Sequence, residues 1–447
     1  MQWNNKLEKQ LRDVIANAPA NGLKPDLFLK GNEDGPALTQ AALKYAEALA
    51  HGYADPTKIY PVYTIPRPSG DVRQGFQEAM QKGDLTSWFA SLPPQTDEYK
   101  ALSQAHLKFL KLAASTNFQP VPAGKPIDPK SHDGRVAALS AALTAMGYLN
   151  APQGQPNQQG PAVKASSSYS PELFAAVKHL QSDFGLKTDG IVGGNTLAAL
   201  NMGPAGLARL CAIAMERLRW LERDPPKTRI DVNTAATILD YWRDGQHMDR
   251  REVVAGEPDK QTPQLQAPIV NLVAYPKWRV PDSIAEKEIA DKGQSWLQEN
   301  NFTMENGHYV QDSGPKNSLG IVKFDMDDKQ QIYLHDTPAK ALFGLPERHR
   351  SHGCVRVQDA VAFANAISTE EGVNDQFQKA MAGQQEAWVK LKSQIPVRLL
   401  YHTAFWDGTK LQFRPDVYSW DDNLAAALGL VRGVQWAPVR QSGDIGP

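Results

Sequence analysis

The chain of 447 residues carries 48 Lys and Arg against 49 Asp and Glu, a formal net charge of -1 with histidine neutral, which argues against an electrostatic grip on nucleic acid. Hydrophobic residues make up 41% and charged residues 22%, ordinary values for a soluble protein, and 49.2 kDa is too much chain for one hydrophobic core, so two or three domains are expected. No apolar run approaches the roughly 18 residues that cross a bilayer, and the opening MQWNNKLEKQ lacks the hydrophobic stretch of a signal peptide.

Residues 1 to about 121 read as mostly helical. Leu7, Leu11 and Ile15 repeat at four, and AALKYAEALA (41–50) is built of good helix formers. The proline-rich run 54–71 interrupts them as an extended loop. A smaller unit follows over about 122–203. Its first helix spans 135–149, and a Gln-, Pro-, Gly- and Ser-rich stretch over 150–170 has the composition of a flexible insertion. A second helix sets Phe174, Val177, Leu180 and Phe184 on one face, and GLKTDGIVGGNTLAAL then offers glycine turns and a cap at Asn195 or Thr196.

A helix over 204–221 places Leu207, Cys211, Ala214, Leu218 and Leu221 on one stripe, so Cys211 reads as core packing. A bridge from Cys211 to Cys354, the only other cysteine, suits an oxidising compartment but would abolish thiol chemistry, and it ranks low. The helix passes on through Arg223-Asp224-Pro225-Pro226. Residues 228–281 are strand-rich, and 283–313 turn helical and then polar. Ala360, Phe363, Ala364 and Ile367 share one helix face, and the segments from 397 and from 410 read as closing strands.

Chemistry concentrates in 335–356, HDTPAKALFGLPERHRSHGCVR. A thiol attacks as thiolate, and at a reference pKa of about 8.5 only roughly a few per cent is ionised near neutrality, so a nucleophilic Cys354 needs a base. Alternation puts Tyr333 and His335 on one face of a strand, with Ile332 and Leu334 on the other. The same rule groups Cys354 with Arg356 and buries Val355 and Val357. Two adjacent strands would then bring His335 to Cys354, while His352 competes for the role of base. Gly353 suits a turn where backbone approaches a substrate oxygen, and its amide with that of Cys354 would make an oxyanion hole. Against this stands the ordinary fate of a buried cysteine as a small hydrophobe, and of Arg356 as half of a surface ion pair. A zinc site of His, Asp, His and Cys is disfavoured because the spacings match no familiar ligand pattern. Trp278, Tyr333, Phe343 and Trp406 are candidate cleft aromatics, each weighed against a place in the core.

HDTP followed by SHGCVRV resembles the signature of the L,D-transpeptidase (YkuD) catalytic domain, in particular its large YcbB-like members. VVAGEPDKQTP (253–263), PKWRVPDSI (276–284) and GPKNSLGIVKF (314–324) are similar to flanking elements of that family, in the same order. The stretch after Phe174 resembles a peptidoglycan-binding module, and the helix ending at Trp220 resembles the family's connector to the catalytic part. The resemblance implies a multidomain α+β protein. Its parts would be a helical scaffold (1–121), a three-helix peptidoglycan-binding-like module (122–203), a connecting helix (204–225) and a β-rich catalytic domain (226–447) with a capping lobe inserted at about 283–313. It chooses between the histidines where the residues alone do not. Cys354 becomes the nucleophile and His335 the base, with His352 and Gly353 shaping the acyl site and Arg356 ordering loop or substrate. Substrate contacts are expected from Tyr333, Ser351, Trp278 and Asp336. Asp336 stands where other family members carry Gly or Ser, and it would stabilise the turn rather than orient His335.

The activity so implied is cleavage of the bond between the L-centre of a diamino acid and the terminal D-Ala of a tetrapeptide stem. A Cys354 thioester would form and be resolved by an amine of a second stem, giving a 3→3 crosslink. Water in place of the amine would make an L,D-carboxypeptidase, and loss of the thiol's role would leave a non-catalytic wall-binding protein. Expected partners are peptidoglycan stem peptides and glycan, other cell-wall synthesis proteins, and carbapenem β-lactams as inhibitors, with no nucleic acid, metal or cofactor. A periplasmic location is expected, with the export segment absent from this sequence.

Overall fold

A computed structural model describes residues 2–31, 33–130, 132–150, 169–431 and 433. The bulk of the expected insertion over 150–170 lies outside the described residues. Contacts divide the chain into two units. One comprises the residues up to Tyr60, Pro66–Asp224 and the segment from His402; the other comprises Pro61–Ile65 and Pro225–Tyr401. The stretch after Tyr401, expected within the catalytic domain, thus groups with the helical unit. Conversely, part of the proline-rich run lies along the β-unit, where the Thr64 amide donates to the Gln264 carbonyl at 3.1 Å.

In the first unit, helices α1 (Asn5–Ala16), α2 (Gly35–His51), α3 (Val72–Lys82), α4 (Leu85–Ser91) and α5 (Asp97–Ser115) form the N-terminal region. Side chains of Asn4, Asp34, Asp71, Asp84 and Thr96 accept amide protons at their starts, which is why these polar residues precede apolar runs. Helices α6 (Val136–Ala145), α7 (Pro171–Asp183) and α8 (Gly194–Asn201) make the small module around Leu139, Leu143, Val177, Leu180 and Phe184. Gln181 anchors its glycine loop, accepting from the Gly190 amide at 2.8 Å and donating to the Ile191 carbonyl at 3.0 Å. Gly193, not Asn195 or Thr196, occupies the cap of α8, and Thr196 is buried beside Gln181.

Helix α9 (Gly203–Arg219) is buried on more than the predicted stripe. Leu207, Cys211 and Ala214 are fully buried, as expected of core, but so are Glu216, Arg217 and Arg219. Those charges are tolerated because they are paired: Arg217 with Asp421 at 2.6 Å, and Arg219 with Glu216 and, at 2.7 Å, with the Tyr99 hydroxyl. Both cysteines are free.

The second unit is built on β1 (Arg229–Asn233), β2 (Ile238–Arg243), β3 (Gln246–Gly256), β4 (Leu265–Ala274), β5 (Trp278–Arg279), β6 (Phe302–Glu305), β7 (His308–Gln311), β8 (Val322–Met326), β9 (Leu334–His335), β10 (His349–Ser351), β11 (Val355–Val357) and β12 (Ala387–Leu400). The main sheet runs β10-β3-β11-β9-β8-β4-β12-β1-β2, and β2 also pairs with β3. Eight strands therefore close into a ring with no free edges, and β10 sits outside it on the end of β3. Phe324, Leu334 and Val355 line one face of three neighbouring strands and are fully buried. Phe324 meets Phe363 at 5.3 Å between ring centres, so helix Ala360–Glu370 packs there with Ala360, Phe363, Ala364 and Ile367 inward, as the periodicity predicts. Truncating a side chain such as Phe324 to alanine costs about 3–5 kcal/mol.

Between β5 and β8 the chain leaves the barrel as a small lobe. Helix Asp282–Ile284 runs on into one π turn, Ala285–Ile289; helix Gln294–Glu299 and the sheet β5-β7-β6 complete it. The lobe has its own core of Trp278, Val280, Ile284, Ile289, Leu297, Phe302 and Leu319.

Candidate active site

Strand β9 lies between β8 and β11, antiparallel to the first and parallel to the second. The register sets Lys323, His335 and Arg356 in one row across the three strands, and Phe324, Leu334 and Val355 in the next. Because side chains alternate, Tyr333 and Cys354 share the face of His335 and Arg356. The alternation read from the sequence therefore holds, and the two strands it joins are neighbours.

Cys354 is 6% exposed, and its thiol donates to the Gln331 carbonyl at 3.8 Å. Burial pushes the thiol up to about 11, against a smaller opposing pull from the Tyr333 backbone and hydroxyl. Burial and the neighbouring sulfur in turn raise the Tyr333 hydroxyl well above its usual range. His335 is fully buried. Its Nδ1 lies 2.5 Å from the Asp336 carbonyl oxygen, which can only accept, so Nδ1 carries the proton and Nε2 the lone pair. Nε2 has no hydrogen-bond partner among the described residues. Burial, and next the charge of Arg356, hold the imidazole down to about 3. At rest the pair is therefore a protonated thiol and a neutral imidazole. Were this thiol to act as a nucleophile, its proton would have to leave during attack rather than from a standing ion pair.

The loop before Cys354 is locked by hydroxyls. Ser351 Oγ donates to the Cys354 carbonyl at 2.5 Å and accepts from the Gly353 amide at 3.2 Å. Thr262 Oγ1 donates to the Gly353 carbonyl at 2.9 Å and accepts from the Gly256 amide at 2.8 Å. Gly353 takes φ +117, a conformation that favours glycine. Ser351, expected to touch substrate, is instead wholly buried and spent inside the loop. The Gly353 amide, expected to serve an oxyanion, is engaged by that same hydroxyl. Thr262 was missed: it lies in the segment VVAGEPDKQTP, but a lone threonine carries no signal of the carbonyl it will meet.

His352 takes a different path from His335. Its Nε2 contacts Glu288 of the lobe and Lys260, and Lys260 pairs with Glu288 at 2.8 Å. Burial works against the Glu288 charge, but Lys260 and His352 hold its carboxyl below the usual range. Asp336 is buried; one carboxylate oxygen accepts from the Ile321 amide at 3.1 Å and the other meets Lys340. It braces the turn, as expected in preference to orienting His335, and its carboxylate is engaged there rather than turned to the substrate contact also expected of it. Arg356 is 1% exposed. Trp278, expected in the cleft, is fully buried in the lobe core, where its indole stands near enough to Tyr333 to influence the phenol. Phe343 is also buried, and Trp406 belongs to a hairpin, Ala404–Trp406 with Leu411–Phe413, of the other unit. Among the described residues, no group of three or more His, Cys, Asp or Glu is placed to hold a metal ion.

Residues 227–380, which contain Cys354, His335 and the other side chains of the β-unit described above, match the L,D-transpeptidase catalytic domain. Residues 2–105 match a scaffold domain, and residues 132–200 match a family described as "Putative peptidoglycan binding domain". A Haemophilus influenzae protein named "Putative L,D-transpeptidase" is 26% identical over 222 residues, 44% of this chain and 45% of its own length, so the chain spans just under half of that curated relative. Among solved structures, an L,D-transpeptidase from Xylanimonas cellulosilytica is similar at 18% identity over 63% of this chain and 100% of its own, with a TM-score of 0.21. One from Mycobacterium smegmatis stands at 12% identity over 39% and 58%, with a TM-score of 0.23.

Proposed function

We propose that the β-unit is a cysteine acyltransferase acting on peptidoglycan stems, with Cys354 as nucleophile and His335 as base. The observation that carries this reading is the buried, unpartnered Nε2 of His335 on the same face of adjacent strands as the Cys354 thiol. His335 takes the thiol proton as sulfur attacks the carbonyl between the L-centre of the diamino acid and D-Ala. The C–N bond breaks, the proton passes to the leaving amine, and the acyl group remains as a thioester. An amine of a second stem then attacks, returning a thiol and a 3→3 crosslink. With the Gly353 amide occupied, the Cys354 amide is the loop donor assigned to the oxyanion. His352, tied to Glu288 and Lys260, holds the loop rather than the proton. The module around 132–200 would keep the enzyme on glycan, and its place of work would be the periplasm. A β-lactam carbonyl, carbapenems included, would acylate the same sulfur.

The test is mass spectrometry of purified disaccharide-tetrapeptide after incubation with the protein and with Cys354→Ala. Dimers lacking one D-Ala, absent with the variant, are expected. Tripeptide monomers alone would move the reading to a carboxypeptidase, and unchanged substrate would overturn it. His335→Ala should be far more damaging than His352→Ala.

A further inference from the structure

The row that carries Arg356 and His335 continues across β8 to Lys323, and across β4 and β12 through Val273 to Trp388. Two residues further along β8, on the same face, Asp325 faces Asn271. Lys323 Nζ lies 2.8 Å from Asp325 Oδ1, with the two side chains 16% and 22% exposed, and Asn271 donates to the other carboxylate oxygen at 3.1 Å. The ammonium also stands 5.1 Å from the Tyr333 ring and 4.9 Å from that of Trp388. Trp388, on β12, is 52% exposed, unusual for so large an apolar side chain. Lys323 is close enough to act on both Cys354 and His335. The acyl-transfer steps above give this pair no role.

A lone lysine would accept any anion, but a lysine bound to an aspartate selects differently. The ammonium has three donors and spends one on Asp325; the carboxylate has about four acceptor sites and spends two, on Lys323 and Asn271. Each partner can therefore take one more bond of opposite sense without breaking the first. A ligand with a carboxylate and an ammonium on one carbon closes a ring of four alternating charges. When it leaves, neither protein charge is stranded, which avoids the cost of an uncompensated ion. The open face of Trp388 covers methylene groups or the ligand's cation.

Distance identifies the ligand. Cys354, Tyr333 and Asp325 lie on three successive strands, so the ion pair stands two strand spacings, about 10 Å, from the sulfur. In a stem whose diamino acid ends in a second α-amino-acid centre, five C–C bonds separate the carbonyl under attack from that distal carbon and advance about 6 Å when staggered. A hydrogen bond at the far end adds about 3 Å. We infer that Lys323, Asp325 and Trp388 form a subsite for the zwitterionic end of the donor stem's diamino acid, favouring one of diaminopimelate type over lysine, whose side chain carries no carboxylate. The inference rests on the acyl-transfer reading above.

The test measures acyl-enzyme formation by mass spectrometry, with the full chain and paired tetrapeptides that differ only in diaminopimelate or lysine at the third position. The wild type should prefer diaminopimelate by at least about tenfold in kcat/KM, carried mainly in KM. Lys323→Gln should bring the ratio close to one, Lys323→Arg should restore it, and Asp325→Asn should weaken both stems by removing the ammonium's partner. Trp388→Ala, at an exposed position, should raise KM for both without changing the ratio. Equal use of both stems by the wild type, or a ratio that Lys323→Gln leaves unchanged, would overturn the subsite while leaving the acyl-transfer reading intact. No acyl-enzyme from either stem would overturn both.

Discussion

Arg356 stands opposite His335 in the parallel pairing of β9 with β11, and after burial its cation is the strongest influence keeping that imidazole neutral. A cation beside a base disfavours protonation, so the histidine stays ready to accept a proton far into the acid range. Arg356→Gln should therefore raise the His335 pKa from about 3 toward its ordinary value and shift the acid limb of the acylation profile to higher pH. The check is a pH titration of the ring by NMR beside the pH–rate profile. An unmoved acid limb would mean that burial alone sets it.

The same depression has a stability consequence. An unfolded chain protonates His335 near its ordinary 6.5, while the folded state resists until about 3. Between those values the unfolded state binds more protons, so stability falls as pH is lowered through that window and is recovered above it. His335→Gln removes this contribution. Its denaturant midpoint should fall less than that of the wild type between pH 6.5 and 4, whatever the offset between the two proteins at neutral pH.

Burial holds the Cys354 thiol at about 11, so at pH 7 on the order of one molecule in ten thousand carries a thiolate. Alkylation by a small neutral reagent should be slow at neutrality and keep rising with pH well beyond the range of a free cysteine. A stem or β-lactam that engages the His335 base should react far faster than this background. A plateau in alkylation near pH 6 would reveal a standing ion pair and contradict the resting state described above.

The site was legible in the sequence where periodicity governs it. Two-residue alternation placed Tyr333 and His335 on one face, Cys354 and Arg356 on a matching one, and the 3.6 period placed Phe363 and Ile367 inward. What it did not reveal depends on contacts between distant segments. Ser351 and the Gly353 amide are consumed by each other and Thr262 holds the next carbonyl, because a loop that takes φ +117 must satisfy its own polar groups once buried. Trp278 looked like a cleft aromatic, since nothing local shows that Phe302 and Trp296 will enclose it. Arg217 and Arg219 of α9 broke the stripe pattern because Asp421 and Tyr99, which they also meet, are more than a hundred residues away.

Gly320 offers a steric test of how Asp336 supports the base. It takes φ +64, and a Cβ built there would collide with the Asp336 carboxylate. Asp336 is buried and its own carbonyl is the partner of His335 Nδ1, so it cannot move without tilting the imidazole. Gly320→Ala should cost about 1–3 kcal/mol from the backbone alone, lower the thermal midpoint, and reduce acylation more than stability explains. Asp336→Asn, which keeps the shape and one acceptor, should be much milder. Equal loss from both would tie activity to the carboxylate charge instead.

Glu288 joins the lobe to the loop that carries Cys354, through His352 and Lys260. Glu288→Gln keeps the size of the side chain and one acceptor but removes the charge that both partners face. Lys260 and Glu288 are only 28% and 19% exposed, but solvent still screens part of the pair, so its loss should cost about 1 kcal/mol and lower the thermal midpoint only slightly. The local effect should be larger, because the link sets how often the lobe separates from residues 351–354. Amide exchange in the π turn Ala285–Ile289 and at 351–354 should accelerate together, and the KM for stem peptides should rise several-fold while the reaction with a small alkylating reagent stays the same. If exchange speeds up in the lobe but not at 351–354, the two segments move independently and the contact holds only the lobe. If neither changes, hydrophobic packing around Ile289 and Leu319 carries the attachment, and the contact among Glu288, Lys260 and His352 adds little to it.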